Sequence, residues 1–221
     1  MPEIALCLVE HGADVIVLSE YRTTIGGQIR GVLAEHGWTH QICTNPKAHK
    51  NGILVVSRLE IEACEHSESA PSRRERWLEF RVPQVDLRVA GVHIPDGGGP
   101  NGKSYFWKDL LAVAREHKDE RYAVIGDFNT GRHYVDEAGR TFTCTVQMGR
   151  LTSMGFRDAW RWVHPAGREY SWYSHTGNGF RIDHAFVSEG LGDRIESAWY
   201  SHSEREAGLS DHSPMVLTLN L

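Results

Sequence analysis

The 221-residue sequence has no basic excess: 24 lysines and arginines stand against 29 aspartates and glutamates, a formal net charge of −5. Nucleic-acid binders draw much of their affinity from neutralising phosphates, so this balance argues against tight, sequence-independent coating of DNA. It does not exclude a nuclease, because a cluster of acidic metal ligands adds to the acidic count and a bound cation cancels it locally. Cysteine is also scarce. Cys7, Cys43, Cys64 and Cys144 form no C-x-x-C pair and have no neighbour at metal-ligand spacing. They read as buried or idle thiols of a reducing compartment. No apolar run approaches the roughly 20 residues of a membrane-spanning helix. Met1-Pro2-Glu3 lacks the positive region and apolar stretch of a secretory signal. No internal repeat stands out at periods of about 20 to 50 residues. The expectation is a cytoplasmic, monomeric enzyme of one domain over residues 1–221.

What is present is ordinary for a globular protein, with 40% hydrophobic and 24% charged residues. Residues 2–11 have helical spacing, and Gly12 stops them before the apolar run ADVIVL (13–18), which predicts a buried strand. GILVVS (52–57) predicts another. Residues 59–76 turn acidic and then basic, as a solvated loop does. Strands are predicted over 79–82 and 85–94, joined near Pro83, and a helix over 104–118 follows a Gly/Pro-rich loop. A strand over 122–125, a helix over 146–154, strands over 169–174 and 180–188 joined by a tight turn, and a strand over 214–219 complete the pattern. Such a mixture suits two packed sheets with helices outside them.

Five polar clusters share one placement, the end of an apolar strand: Glu20, His93, Asp127 with Asn129, Asp183 with His184, and Asp211 with His212. Strand ends are where sheet-built folds gather functional side chains. Asp127 and Asn129, two apart on an extended segment, share a face, although G-D-x-N is equally good turn chemistry. Asp183 and Asp211-His212 supply a carboxylate–imidazole pair, in which the carboxylate fixes the ring's tautomer and raises its basicity. A lone histidine is usually a surface or satisfied core residue, and Glu20 alone would pass for a solvated strand end.

Taken together, DVIVLSE (14–20), GVHIP (91–95), GDFNTG (126–131), RIDHAFVS (181–188) and SDHSP (210–214) resemble the endonuclease/exonuclease/phosphatase superfamily, which includes exonuclease III, deoxyribonuclease I, sphingomyelinases and inositol polyphosphate phosphatases. The resemblance covers nearly the whole chain. It implies a four-layer α/β/β/α sandwich of two mixed sheets with outer helices. GFRDAWRWVHPAGREYSWYS (155–174) is most similar to the exonuclease III and abasic-site endonuclease branch. There the matching aromatics line a pocket for a base-less sugar, which implies Trp172 and Phe180, with Ile182 beside them. Strand alternation puts Phe180 and Ile182 opposite Asp183, so such a pocket needs a twist or bulge.

The resemblance further implies metal-assisted in-line hydrolysis of a phosphoester. Glu20 would bind Mg²⁺ or Mn²⁺, with Asp211 as a second candidate ligand. Asp127 would deprotonate the attacking water, and Asn129 would hold that water or a phosphoryl oxygen. His212, oriented by Asp183, would stabilise the growing negative charge, and His93 would contact the same oxygens. Lys103, Lys108, Arg132 and Arg181 are the cations expected to meet a nucleic acid.

Two departures from the family pattern stand out. A strand ending in asparagine normally precedes the first helix, whereas this sequence opens on the helix, so either the first strand and one metal-site asparagine are missing or the sequence is truncated. Such a loss would uncover a central strand edge. The turn between Trp172 and Phe180 is also short, which weighs against an abasic-site specialist. A DNA-directed nuclease is the leading expectation. A hydrolase of a small phosphoester is the alternative, and a binding protein that kept the fold without catalysis comes third.

Overall fold

The computed structural model describes residues 2–65, 67–99 and 101–221. In chain order the elements are α1 (Pro2–Glu10), β1 (Val15–Tyr21), α2 (Gly27–Glu35), β2 (His40–Cys43), β3 (Gly52–Ser57), β4 (Glu62–Ala63), β5 (Trp77–Val82), β6 (Leu87–His93), α3 (Lys103–His117), β7 (Tyr122–Asp127) and α4 (Thr145–Ser153). Then come β8 (Arg157–Asp158), α5 (Ala159–Val163), β9 (Trp172–Tyr173), β10 (Gly179–Phe180), β11 (Asp183–Val187), α6 (Glu189–Gly192), β12 (Ile195–Tyr200), α7 (Ser203–Glu206) and β13 (Met215–Leu219). Single 3₁₀ turns occupy Arg74–Arg76 and Pro83–Val85.

One layer is a six-stranded sheet in the order β4-β5-β6-β7-β11-β8, in which β6 and β7 are parallel and the other neighbours antiparallel. The facing layer consists of two antiparallel ladders, β1-β3-β2 and β12-β13. Ile53 and Val55 of β3 point between the layers with Leu78, Phe80, Val89 and Val187. Their alternates Leu54 and Val56 face α1 and α2 with Leu8, Leu33 and Trp38. Both faces of β3 are therefore covered, which is why GILVVS reads as an unbroken apolar run. On the other side, α3 and α4 bury Phe106, Trp107, Leu110 and Leu151 against Trp77, Val92, Val124 and Phe186. The result is the expected helix, sheet, sheet, helix stacking.

Among the described residues no strand joins β1 to β13. Leu217, Leu219 and Val17, on these strands, are only partly buried and pack against the core between the layers.

Other expectations change in detail. The strand expected over 180–188 is broken at Arg181 and Ile182. Phe180 pairs with Trp172, whereas pairing with β7 begins only at Asp183. Between them Arg181 turns its backbone N–H to the Asp136 carbonyl (2.8 Å), and the Ile182 carbonyl accepts from Phe128 (2.8 Å). Only Trp172 and Tyr173 of the strand expected over 169–174 are extended in a ladder. Strand β1 runs on to Tyr21 with a register shift between Leu18 and Tyr21. Helix α2 and strands β2, β8 and β12, with the short helices α5 to α7, were not expected.

Candidate active site

Strand register assembles the site. His93 ends β6, Asp127 ends β7 and Asp183 opens β11; the ladders place His93 opposite Asp127 and Asp127 opposite Asp183. Residues far apart in sequence thus form one row across the end of the six-stranded sheet. Glycine is required for the approach. Gly126 has φ +143°, and a Cβ there would lie 2.0 Å from the Val92 carbonyl oxygen. Asn129 is left-handed (φ 46°), a conformation that asparagine tolerates. Its backbone N–H donates to Asp127 Oδ1 (2.7 Å). Its Nδ2 donates to Asp127 Oδ2 (3.0 Å) and to the Ile94 carbonyl (2.9 Å). Both amide hydrogens are engaged within the fold, and through them Asn129 positions Asp127.

His212 comes from the loop before β13, and its Nδ1 donates to Asp183 Oδ2 at 2.8 Å. Burial opposes charging the ring, but Asp183, with Asp127 and Asp211 beyond it, outweighs that and lifts His212 to about 9. Burial, reinforced by the Asp183 charge, pushes Asp127 up to about 8. Burial beside the Arg76 guanidinium and His212 drives His93 down to about 3, so this ring is neutral; its Nε2 is 3.5 Å from Asp127 Oδ2. The site therefore holds a cationic imidazole, a neutral one and a carboxyl poised between states, the kind of divergence found where groups share acid and base work.

Glu20 lies at the irregular end of β1 in a left-handed conformation (φ 59°), which is costly for a residue with a Cβ. The bulge re-aims its carboxylate, which is 64% exposed, to within 3.9 Å of His93 Nε2. Asp211 is exposed and accepts from Trp172 Nε1 (3.3 Å). Among the described residues no three His, Cys, Asp or Glu side chains converge as a ready-made cage. A donor set of separate, hard carboxylate oxygens open to water fits Mg²⁺, which keeps several waters and takes one or two carboxylates. Glu20 satisfies that description.

The expected substrate residues divide. The Trp172 ring lies 6.5 Å from His212, beside the imidazole, and Phe180 packs on the Trp172 ring at 5.7 Å. Ile182 is buried at the break between β10 and β11. Lys103 does not face a substrate: it is buried, and its Nζ donates to Asp96 (2.7 Å) and to the Asn129 carbonyl (2.7 Å), steadying the Asp127 turn. Arg181 is fully buried, with its guanidinium bidentate on Asp158 (3.0 and 2.6 Å) and its Nε on Asp136 (2.8 Å). It has no surface to offer a substrate. His184, beside Asp183, is likewise buried against the Thr130 carbonyl (2.9 Å). Lys108 is exposed and Arg132 half-buried.

Three supporting residues escaped the sequence analysis. Ser171 is fully buried; its hydroxyl accepts from the Ile182 and Asp183 N–H groups (3.1 and 3.2 Å), while its carbonyl accepts from Ser213 (2.8 Å). It therefore ties the Asp183 strand to the His212 loop. Tyr200 donates its hydroxyl to the Asp183 carbonyl. Arg76 Nη1 donates to the His93 carbonyl at 3.3 Å. Arg76 lies in a segment whose mixed charges read as a loop, and no spacing in the sequence links it to the site.

A carboxyl paired by register with a second carboxylate, which in turn orients a cationic histidine, defines a hydrolase built for an anionic ester. The endonuclease/exonuclease/phosphatase family model matches residues 3–212. The chain is 32% identical over 244 residues to an exodeoxyribonuclease of Bacillus subtilis (strain 168), covering 97% of this chain and 91% of that protein. Similar solved structures include a 3′ phosphatase from Neisseria bound to product DNA hairpin (TM-score 0.85, 21% identity, 100% of this chain and 94% of that one). Another is an AP endonuclease from Archaeoglobus fulgidus (TM-score 0.85, 19% identity, 99% and 93%). This chain belongs to the endonuclease/exonuclease/phosphatase family, whose nucleases are generally divalent-metal dependent.

Proposed function

We propose that the protein is a Mg²⁺- or Mn²⁺-dependent DNA phosphodiesterase that hydrolyses its substrate by in-line attack of water. The row His93, Asp127, Asp183 with His212 hydrogen-bonded to Asp183 carries this reading. Asp127, held by two hydrogen bonds from Asn129, takes the proton of the attacking water. His212, charged and fixed in tautomer by Asp183, donates to a phosphoryl oxygen and stabilises the charge that grows there. His93, neutral, offers a second N–H donor to the same oxygens. A cation bound at Glu20, with Asp211 as a further candidate ligand, would supply charge neutralisation at the phosphate and the leaving oxygen.

DNA is favoured over a small ester by the relative of 32% identity, an exodeoxyribonuclease. The hairpin between β9 and β10 is tight, with the Ser174 N–H bonded to the Asn178 carbonyl. That leaves little chain to enter a duplex and favours action at DNA ends over abasic sites. The four free cysteines support a cytoplasmic setting.

The test is hydrolysis of a labelled duplex, intact or carrying an abasic site, beside bis-p-nitrophenyl phosphate, with Mg²⁺, Mn²⁺ or EDTA. Metal-dependent DNA cleavage that Asp127→Ala abolishes is the expected result. Cleavage of the small ester alone would overturn the DNA assignment, and activity retained in EDTA would overturn the metal.

A further inference from the structure

Ser213 follows His212 directly in the chain and is fully buried. Its hydroxyl meets two side chains: His202 Nδ1 at 2.8 Å, and Arg205 Nε, which donates to it at 3.1 Å. The far side of the His202 ring is anchored too, with Nε2 donating to Glu169 Oε1 at 2.8 Å. The second oxygen of Glu169 accepts from Nε1 of the buried Trp160 (3.0 Å). Because the carboxylate keeps the proton on Nε2, Nδ1 is left to accept from the Ser213 hydroxyl. That hydroxyl therefore donates once and accepts once.

A carboxylate, an imidazole and a serine hydroxyl in line are also the parts of a nucleophilic relay. Ser213 is closed to substrate and its oxygen is engaged by Arg205, so it does not attack. What the relay can do is hold a backbone. The segment 201–213 contains one four-residue helix and meets β9 through a bridge between His212 and Trp172. Backbone hydrogen bonds fasten it where the Ser213 N–H donates to the Ser171 carbonyl (2.8 Å) and the Ser201 N–H to the Pro214 carbonyl (2.9 Å). Side chains add the rest, and Arg205 also lies over the Tyr173 ring at 4.7 Å, next to Trp172. Residues before β9 and from the start of α7 are thus drawn onto one hydroxyl beside His212. Asp183 grips the His212 ring only at Nδ1, so the direction of Nε2 depends on how the backbone at His212 and Ser213 is held.

We propose that Glu169, His202 and Ser213 form a positioning relay that aims the His212 imidazole at the scissile phosphate. They act through His212 and contact no substrate. The proposal rests on the catalytic reading of His212 above.

The test measures kcat and KM in Mg²⁺ on both a DNA duplex and bis-p-nitrophenyl phosphate, each protein well below its melting temperature. Wild type is compared with Ser213→Ala, His202→Leu, their double variant, His202→Asn and His212→Gln. Ser213→Ala and His202→Leu should each lower kcat roughly 10- to 100-fold, the scale of a small misplacement of a reacting group, with KM within about twofold. The double variant should be little worse than the poorer single one. His202→Asn, whose amide oxygen can replace Nδ1 as acceptor for Ser213, should recover most of the loss. The downfield proton NMR signal of the His212–Asp183 hydrogen bond, assigned by its loss in Asp183→Asn, should shift or broaden in Ser213→Ala while unfolding stays cooperative. Single variants with kcat within about twofold of wild type, losses that multiply, a loss confined to KM, an unmoved signal, or His202→Asn no better than His202→Leu overturns the relay. If His212→Gln is impaired in that case, the reading of His212 stands. A wild type inactive on both substrates, or a His212→Gln variant as active as wild type, removes that reading and the relay with it.

Discussion

Asp127 and Asp183 stand directly opposite each other in the ladder between β7 and β11, so two carboxylates share one face at one end of the sheet. Their repulsion, added to burial, explains why Asp127 is pushed up to about 8, and the His212 ring on Asp183 is the protein's own partial remedy. The sheet thus stores electrostatic tension that is useful only when a cation and an anionic ester arrive.

The first consequence is a pH dependence of stability in the metal-free protein. Asp127 is raised in the fold from 3.8 to about 8, so its contribution is full below about 3.8 and fades as pH rises through 8. His212 is raised from 6.5 to about 9, so its contribution is full below about 6.5 and is lost as pH rises through 9. Both slopes point the same way. Thermal unfolding in EDTA should show the melting temperature falling steadily between pH 6.5 and 9. Asp127→Asn should flatten that fall and be the more stable protein at pH 8. A wild-type melting temperature that is level or rising across the window would refute the assignment.

The pair Asp183–His212 should behave as a unit. Either Asp183→Asn or His212→Gln is expected to lower kcat by about 10² to 10⁴. The double variant should be little worse than the poorer single one, because each substitution already disables the other's role. Single-turnover rates on a DNA duplex give the cycle. Losses that multiply would mean the two residues act separately.

Much of the core was legible because it rests on local patterns. GILVVS is apolar throughout since β3 is covered on both faces, and the clusters at Glu20, His93, Asp127 and Asp183 fall at strand ends as sheet topology dictates. Helix α2 was not legible: it begins with glycine and buries only Leu33 among the residues of GQIRGVLAE. Strand β12 carries mixed polarity because it belongs to a two-stranded ladder at an open edge. At the site, side-chain identity pointed to residues that the fold gathers at one end of the sheet, but not to the direction each side chain takes. Lys103 and Arg181 look like free cations in sequence because their partners lie elsewhere in the chain, with Asp158 and Asp136 respectively 23 and 45 positions from Arg181. Ser171 works through backbone contacts made possible by the break at Arg181, which no periodicity announces.

Glu20, proposed above to hold the metal, also sits in a left-handed backbone conformation. Glu20→Gln should raise the Mg²⁺ concentration for half-maximal activity roughly tenfold or more, with the maximal rate recovered in part at high Mg²⁺. Glu20→Gly should lose activity too, yet unfold at the same or a higher temperature, because glycine takes the left-handed conformation without a Cβ clash. Metal titrations of hydrolysis beside thermal unfolding in EDTA read both effects. An unaltered Mg²⁺ requirement in Glu20→Gln would remove Glu20 from the metal site.

Arg181 should matter for folding and not for substrate. Its guanidinium is surrounded by Asp136 and Asp158, both buried, and Arg161 adds a further hydrogen bond to Asp136 at 3.0 Å. Arg181→Met would leave two carboxylates short of their main partner in a low-dielectric setting, a loss of about 3–5 kcal/mol. Arg181→Lys should recover little, since an ammonium cannot reproduce the bidentate grip on Asp158 together with the Nε contact to Asp136. Urea unfolding of the three proteins measures this. Where Arg181→Met still folds at low temperature, its KM for DNA should match wild type, because the residue has no surface on the substrate side. A stability loss under about 1 kcal/mol combined with a large rise in KM would reverse the conclusion and return Arg181 to the binding face.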